Sequence, residues 1–178
     1  MALPHAILVS LCEQSGSGYE LTRRFDRSIG YFWSATHQQI YRTLRAMEGD
    51  GWVSATVVAQ RGRPDKKVYT VSTAGRAELA RWIAAPLTNP STRELAVKLR
   101  GAAYSDRAAL LEQVVAFRAE RAAVLDTYRG FEKTQFPDPK ALRDSALDQY
   151  LVLRGGIRTE EGTIDWLDEV ASALEVNR

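Results

Sequence analysis

The 178-residue sequence predicts a mainly α-helical fold with one small two-stranded β wing, followed by an all-helical second half. Three observations carry that prediction. Thr36 to Met47 places Ile40, Leu44 and Met47 on one stripe at helical spacing. Trp52 to Ala59 and Lys67 to Val71 are short runs rich in β-branched residues, joined by a loop with Gly and Pro. Beyond Pro90, apolar residues recur every three or four positions along two long stretches.

In chain order, Ala2 to Glu13 reads as a first helix with Leu3, Ile7, Leu8 and Leu11 turned to a core. Ser15-Gly16-Ser17-Gly18 reads as a turn, and Tyr19 to Ile29 as a second helix buried through Leu21, Phe25 and Ile29. Gly30 breaks that helix, and Tyr31-Phe32-Trp33 packs as an aromatic plug ahead of the third. The third helix starts at a capping box, Thr36 with Gln39 three residues on. It stops at Gly49-Asp50-Gly51, where two glycines cost too much backbone entropy to continue. With the apolar stripe inward, Gln38, Arg42 and Arg45 point outward, and His37 and Tyr41 lie on the flank. Gln60 to Lys66 turns the hairpin, and Arg61, Arg63, Lys66 and Lys67 surround it with positive charge. Trp33, Trp52 and Tyr69 belong to the core of this half, and Thr73 caps a fourth helix through Ile83.

A helix that exposes amides and guanidinium groups, directly followed by a cation-tipped hairpin, has the layout of a winged helix-turn-helix domain. Its side chains suit base edges and phosphates of double-stranded DNA. On the helix the expected contacts are Thr36, His37, Gln38, Tyr41, Arg42 and Arg45. On the wing they are Arg61, Arg63, Lys66 and Lys67, and Tyr19 offers its hydroxyl to a phosphate, with packing at the helix start as its competing role. Charge follows the same division. Residues 1–85 carry 11 Lys and Arg against 7 Asp and Glu, whereas residues 86–178 carry 13 against 15, so the basic excess lies with the helix and wing.

Pro86-Leu87-Thr88-Asn89-Pro90 disfavours continuous helix and marks the boundary between a domain of residues 1–85 and one of residues 91–178. A short helix is expected from Ser91 to about Tyr104. A long one capped by Ser105 carries Leu110, Val114, Phe117, Arg121, Val124, Tyr128 and Phe131. After a turn at Gln135 to Pro139, the last helix carries Tyr150, Leu153, Ile157, Glu160, Ile164, Leu167, Ala171 and Leu174. Two heptad stripes joined by one turn predict an antiparallel helical hairpin.

Such a hairpin closes on the short helix within one chain, or pairs with a second copy. A two-helix arm buries too little surface to hold itself, so the expectation is a homodimer. Leu110, Val114, Phe117, Val124, Tyr128, Leu153, Ile157, Ile164, Leu167 and Leu174 would line its seam. Tyr150 and Trp166 are the side chains offered to a small aromatic effector between subunits, with packing in the dimer core as their competing role. Gly155-Gly156 and Gly162 imply close helix approach or a local break lining a cavity.

Composition excludes several other classes. Hydrophobic content of 45% and charged content of 26% are those of a folded globular chain. No apolar run approaches the roughly 18 residues of a membrane span. Ala6 to Cys12 is interrupted by Ser10 and lacks a basic leader, so it does not read as a signal peptide. One cysteine, Cys12, excludes an internal disulfide, fits the cytoplasm, and reads as a small buried hydrophobe. With only His5 and His37 beside it, a structural zinc site is not expected. Gly16-Ser17-Gly18 lacks the strand and third glycine of a dinucleotide fingerprint, and no nucleophile elbow or phosphate loop occurs. Neither cofactor nor enzymatic role is expected.

The ordered segments Gly18-Tyr19-Glu20-Leu21, Ile40 to Glu48 with Gly51-Trp52-Val53, Gly62-Arg63-Pro64 and Val68 to Arg76 resemble the PadR family of bacterial transcriptional regulators. The likeness runs through about the first 85 residues. Beyond Pro90, the arrangement is similar to the helical C-terminal domain of virulence-activator-like members. Family members commonly have Pro directly after the Tyr of the recognition helix, where this chain has Arg42, and that bears on operator preference. The resemblance implies a homodimer on a pseudo-palindromic operator in the bacterial cytoplasm, at the nucleoid when bound. It further implies, as is usual in the family, a repressor, released by a small ligand or another signal. The competing reading is a winged-helix adaptor that binds protein; the basic helix face beside a basic hairpin disfavours it.

Overall fold

Helix α1 (Leu3–Glu13) sets the plan of the first half, because every residue from His5 to Leu11 is buried. A helix apolar on all sides needs neighbours on all sides, and eleven residues hold a helix in water only through such packing. The computed structural model describes residues 3–27, 35–59, 65–87 and 91–176. It divides into two units, Met1–Leu110 and Leu111–Arg178.

Around α1 the first unit gathers α2 (Gly18–Arg27), α3 (His37–Gly49), α4 (Thr73–Ala84) and α5 (Thr92–Arg100). Ile7, Leu8 and Val9 meet Leu21, Phe25, Ile40, Leu44, Met47, Leu79 and Ile83 in one cluster, most of them without any exposed surface. Each such side chain contributes about 1.5–3 kcal/mol relative to an exposed one. The expected stripe Ile40, Leu44 and Met47 is buried, and Thr36 caps α3 in a reciprocal box with Gln39. Gly51 ends that helix with φ +73°, a left-handed conformation that favours glycine. Ile29, Gly30 and the Tyr31-Phe32-Trp33 plug lie outside the described residues.

The hairpin is β2 (Val53–Val58) with β3 (Lys66–Val71), antiparallel in the register Val53↔Val71 to Val58↔Lys66. Here the sequence reading needs correction. Gly16–Ser17, expected as a turn, forms a short strand β1 on the other edge of β3, giving a three-stranded sheet in the order β1-β3-β2. The exposed edge of β3 supplies the ladder, so a Gly-Ser pair without β propensity becomes a strand.

Three further boundaries differ. Ser72, not Thr73, caps α4; its hydroxyl accepts from Gly75 N and donates to the Gly51 carbonyl at 2.6 Å. Gly75 is required there because a Cβ would lie 2.1 Å from the Trp52 carbonyl oxygen. The stretch from Ser91 to Tyr104 breaks at Gly101 into α5 and a short 3₁₀ turn, Ala102–Tyr104. Asp106 starts α6 by accepting from Ala108 N, while the Ser105 hydroxyl donates to the Ala80 carbonyl.

The first unit also reaches past the prolines, to Leu110. Leu95 and Val97 are buried, Arg100 makes a two-bond ion pair with Glu13 of α1, and the fully buried Lys98 donates to the Ala85 carbonyl. Its ammonium lies 5.2 Å from the Trp82 ring, on which His5 also stacks at 4.3 Å. Burial pushes both basic groups below their ordinary pKa, and Glu78 at 3.0 Å from His5 Nε2 partly offsets this for His5. Cys12 is half-buried beside this core.

The second unit is a hairpin of α6 (Arg107–Gln135) and α7 (Asp144–Val176). Leu125 packs with Ile157 and Ile164, flanked by Tyr128 and Leu153. Ion pairs Arg118–Asp168, Arg129–Glu161 and Glu132–Arg154 stitch the two helices at 2.9–3.2 Å. Helix α7 continues through its glycines. Gly156 is the close approach, where a Cβ would meet the Tyr128 ring at 3.1 Å, whereas Gly155 and Gly162 face open space. No helix among the described residues is long and apolar enough to cross a membrane.

Arg121 and Glu160, read from sequence as members of the apolar stripes, face each other at 3.6 Å. Arg121 Nε and Glu160 Oε2 are buried without a hydrogen-bond partner. Removing one charge strands the other, so Glu160→Ala should destabilise the chain by about 1–3 kcal/mol. The double substitution Arg121→Met with Glu160→Leu should recover most of that loss. Denaturant titration of the three chains measures both.

Candidate nucleic-acid interface

The first turn of α2 is organised by a second capping box. Ser17 accepts from Glu20 N at 3.3 Å, and the Glu20 carboxylate accepts from Ser17 N at 2.8 Å. The pattern Ser-x-x-Glu was readable in the sequence and was missed there. The box satisfies the Ser17 and Glu20 amides at the positive end of the α2 helix dipole. Tyr41 of α3 closes one side: a Cβ on Gly18 would fall 2.5 Å from its ring, so glycine lets the two helices meet. Arg24 fastens the corner from behind, donating to the Ser10 carbonyl at the end of α1 at 2.9 Å.

These elements form a cleft of about 920 Å³. Tyr19, Arg23, Tyr41, Arg45, Lys66 and Lys67 line it. Tyr19 is 59% exposed, and Arg23 follows one helical turn later. Arg23 was not anticipated, though its spacing from Tyr19 gave the signal. A shallower groove of about 540 Å³ continues along α3 over His37, Gln38, Tyr41, Arg42 and Arg45. All five are exposed. Most of the expected contacts are thus brought to one surface; Thr36, though exposed, spends its side-chain oxygen on the helix cap. Arg61 and Arg63 lie outside the described residues.

The electrostatics differ from a simple count of cations. Lys66 Nζ sits 2.7 Å from Glu20 Oε1, and Lys67 Nζ 2.8 Å from Glu48 Oε2. Consecutive strand residues point to opposite faces, so the two lysines reach two different helices, α2 and α3. Glu48 holds the Lys67 pKa above its ordinary value. Lys66, followed by the Ser17 amide, holds the Glu20 carboxyl down at about 2. Arg23, Arg42 and Arg45 have no carboxylate partner among the described residues.

The seam predicted between two copies is occupied within one chain. Leu110, Val114, Ile157 and Leu167 are at most 1% exposed, and Phe117, Ile164 and Leu174 at most 8%, so they have no surface left to give a partner. Val124, Tyr128 and Leu153 are half-buried in the same hairpin. The outward apolar residues are Val115 and Phe131 on α6, the latter expected in the inward stripe, and Leu147, Leu151, Val152 and Val176 on α7, with Leu147, Leu151 and Val152 grouped near its start. Tyr150 packs on Phe136 at 5.5 Å and donates to Glu132, and Trp166 is half-buried. The two lie about 24 Å apart along α7 and about 160° around it, so one chain cannot bring both to one ring.

Comparison with known proteins identifies the family of the chain. Residues 7–81 match the transcriptional regulator PadR-like family, and residues 93–175 match the family described as virulence activator alpha C-term. The chain is 69% identical, over all of both chains, to the probable transcriptional regulator Rv1176c of Mycobacterium tuberculosis. It is 28% identical, over 97% of each, to the negative transcriptional regulator PadR of Bacillus subtilis. Among solved structures it is similar to Bacillus subtilis PadR in complex with operator DNA, at 26% identity, 98% and 99% coverage, and a TM-score of 0.47.

The Glu20 pairing has a measurable pH signature. A carboxyl held lower in the folded chain than its ordinary 4.5 stabilises the fold above that value and loses the effect as pH falls through about 2. The stability difference between the native chain and Glu20→Gln should therefore be constant above about pH 5 and vanish towards pH 2. Urea unfolding along a pH series reads that difference.

Proposed function

The chain belongs to the PadR-like family of transcriptional regulators, and we propose that it acts as a homodimeric repressor on a pseudo-palindromic operator. The observation that carries this reading is the single surface joining the first turns of α2 to the exposed face of α3. In this reading α3 enters the major groove. Arg42 and Gln38 carry donors for guanine and adenine edges. Tyr19 and Arg23 of α2 hold the backbone beside it. Arg45 and the wing arginines add charge, and the chain has no catalytic task.

One recognition helix covers a half-site, so a second copy must stand about 34–36 Å away. Residues 1–85 are the DNA-binding part, and the helices after residue 91 supply the pairing, with α5 packed onto the first. Because the inward stripes of α6 and α7 are filled, the dimer contact in this reading falls on Leu147, Leu151 and Val152. A small aromatic effector releases the DNA; both rings of α7 are half-buried, but Tyr150 is already packed on Phe136 and bonded to Glu132, which leaves Trp166 as the ring offered. The site of action is the bacterial cytoplasm, at the nucleoid.

Arg42→Ala should cost about 1–3 kcal/mol on operator DNA and narrow the gap from random duplex. Unchanged operator affinity in an equilibrium titration would show that α3 is not the reader. Leu151→Glu places a charge in the proposed contact. It should shift sedimentation towards the monomer and weaken operator binding by about 10²–10⁴-fold, while a dimer left intact would move the contact elsewhere.

A further inference from the structure

Glu20 is an acidic residue at the centre of a surface that should welcome phosphate. Its carboxylate takes three donors: Oε1 accepts from Lys66 Nζ at 2.7 Å, and Oε2 accepts from the backbone N–H and hydroxyl of Ser17 at 2.8 and 3.0 Å. An ammonium together with a helix N-terminal amide is also the donor set for a phosphate oxygen. The register explains the meeting. Ser17 pairs with Val68, so the first turn of α2 lies alongside the residues that precede Val68 on β3. Neither partner is deeply buried, so exchange for another anion needs no rearrangement of the core.

We propose that Glu20 masks Lys66, occupying its ammonium so that this lysine makes no contribution to non-specific DNA binding. The inference rests on the DNA-binding reading above. A masked pair is neutral towards an approaching duplex. It releases no counterion and adds nothing to the electrostatic, sequence-independent part of the affinity. Random DNA, which offers no base contacts to α3, has little with which to separate the pair. The carboxyl stays ionised down to about pH 2, so the mask persists at every pH at which the chain works. Glu48 stands in the same relation to Lys67, at 2.8 Å.

The test is random-duplex binding across a salt series. It compares the native chain, Glu20→Gln, Lys66→Gln and the double variant, with thermal melting of each. Glutamine keeps the oxygen that accepts from Ser17 N, so the capping box survives while the charge is lost. Glu20→Gln should bind random duplex more tightly and steepen the dependence of log K on log salt by about 0.9, an advantage about 3-fold larger at 50 mM than at 200 mM. The double variant should return to the native slope, and Lys66→Gln alone, which leaves the carboxylate bare, should bind more weakly than either. An unchanged slope in Glu20→Gln would overturn the mask. So would a double variant shallower than the native chain by about 0.9, since the lysine would then already contact phosphate. A native chain with no salt-dependent binding to duplex would overturn the DNA-binding reading itself, and the mask with it.

Discussion

Burial of α1 on every side is the constraint on which the proposed DNA-facing surface depends. A helix with no solvent face fixes the positions of α2, α3, α4, α5 and β3 at once, because each covers part of it. The surface is built largely from the far sides of α2, α3 and β3. Tyr19 and Arg23 stand on α2 opposite Leu21 and Phe25, and Arg42 and Arg45 on α3 opposite Ile40 and Leu44. A shift in the core would move α2 and α3 together. Core packing of this kind is close to crystalline, which makes the spacing between α2 and α3 a rigid quantity.

Upon that scaffold, charge is sorted into two groups. Arginines 23, 42 and 45 reach solvent without a carboxylate partner among the described residues, whereas both lysines of β3 are tied to carboxylates on neighbouring helices. Net charge alone does not reveal this sorting. A guanidinium offers a planar fork suited to bases and phosphates, while an ammonium is a compact point charge, readily held by one acceptor. Each type stands where its geometry is used.

What the sequence disclosed follows physical range. The stripe of α3, its capping box and the hairpin strands are local patterns, and all were legible. Strand β1 was not, because Gly16 and Ser17 carry no β signature and are ordered by the edge of a strand more than 45 residues away. The lysine pairs were hidden for the same reason: Glu20 and Glu48 are near Lys66 and Lys67 only after folding. Heptad periodicity showed that one stripe of α6 and of α7 must be covered, but it carries no information on whether the cover comes from the same chain or another. The separation of Tyr150 and Trp166 around α7 was different, since helical geometry alone fixes it.

The hairpin of α6 and α7 holds a code for its own alignment. Along most of the seam α6 supplies the cations and α7 the anions, but next to the loop the sign reverses, with Glu132 on α6 and Arg154 on α7. If α7 slid by one heptad so that residue 154 took the place of residue 161, Arg154 would confront Arg129. Gln149 would then arrive where only Gly156 leaves room for the Tyr128 ring. The apolar stripe forbids the slip as well, since Glu160 would take the buried place of Leu167 and Ala146 that of Leu153. The helices are thereby keyed to one offset, as a lock is keyed by one irregular tooth.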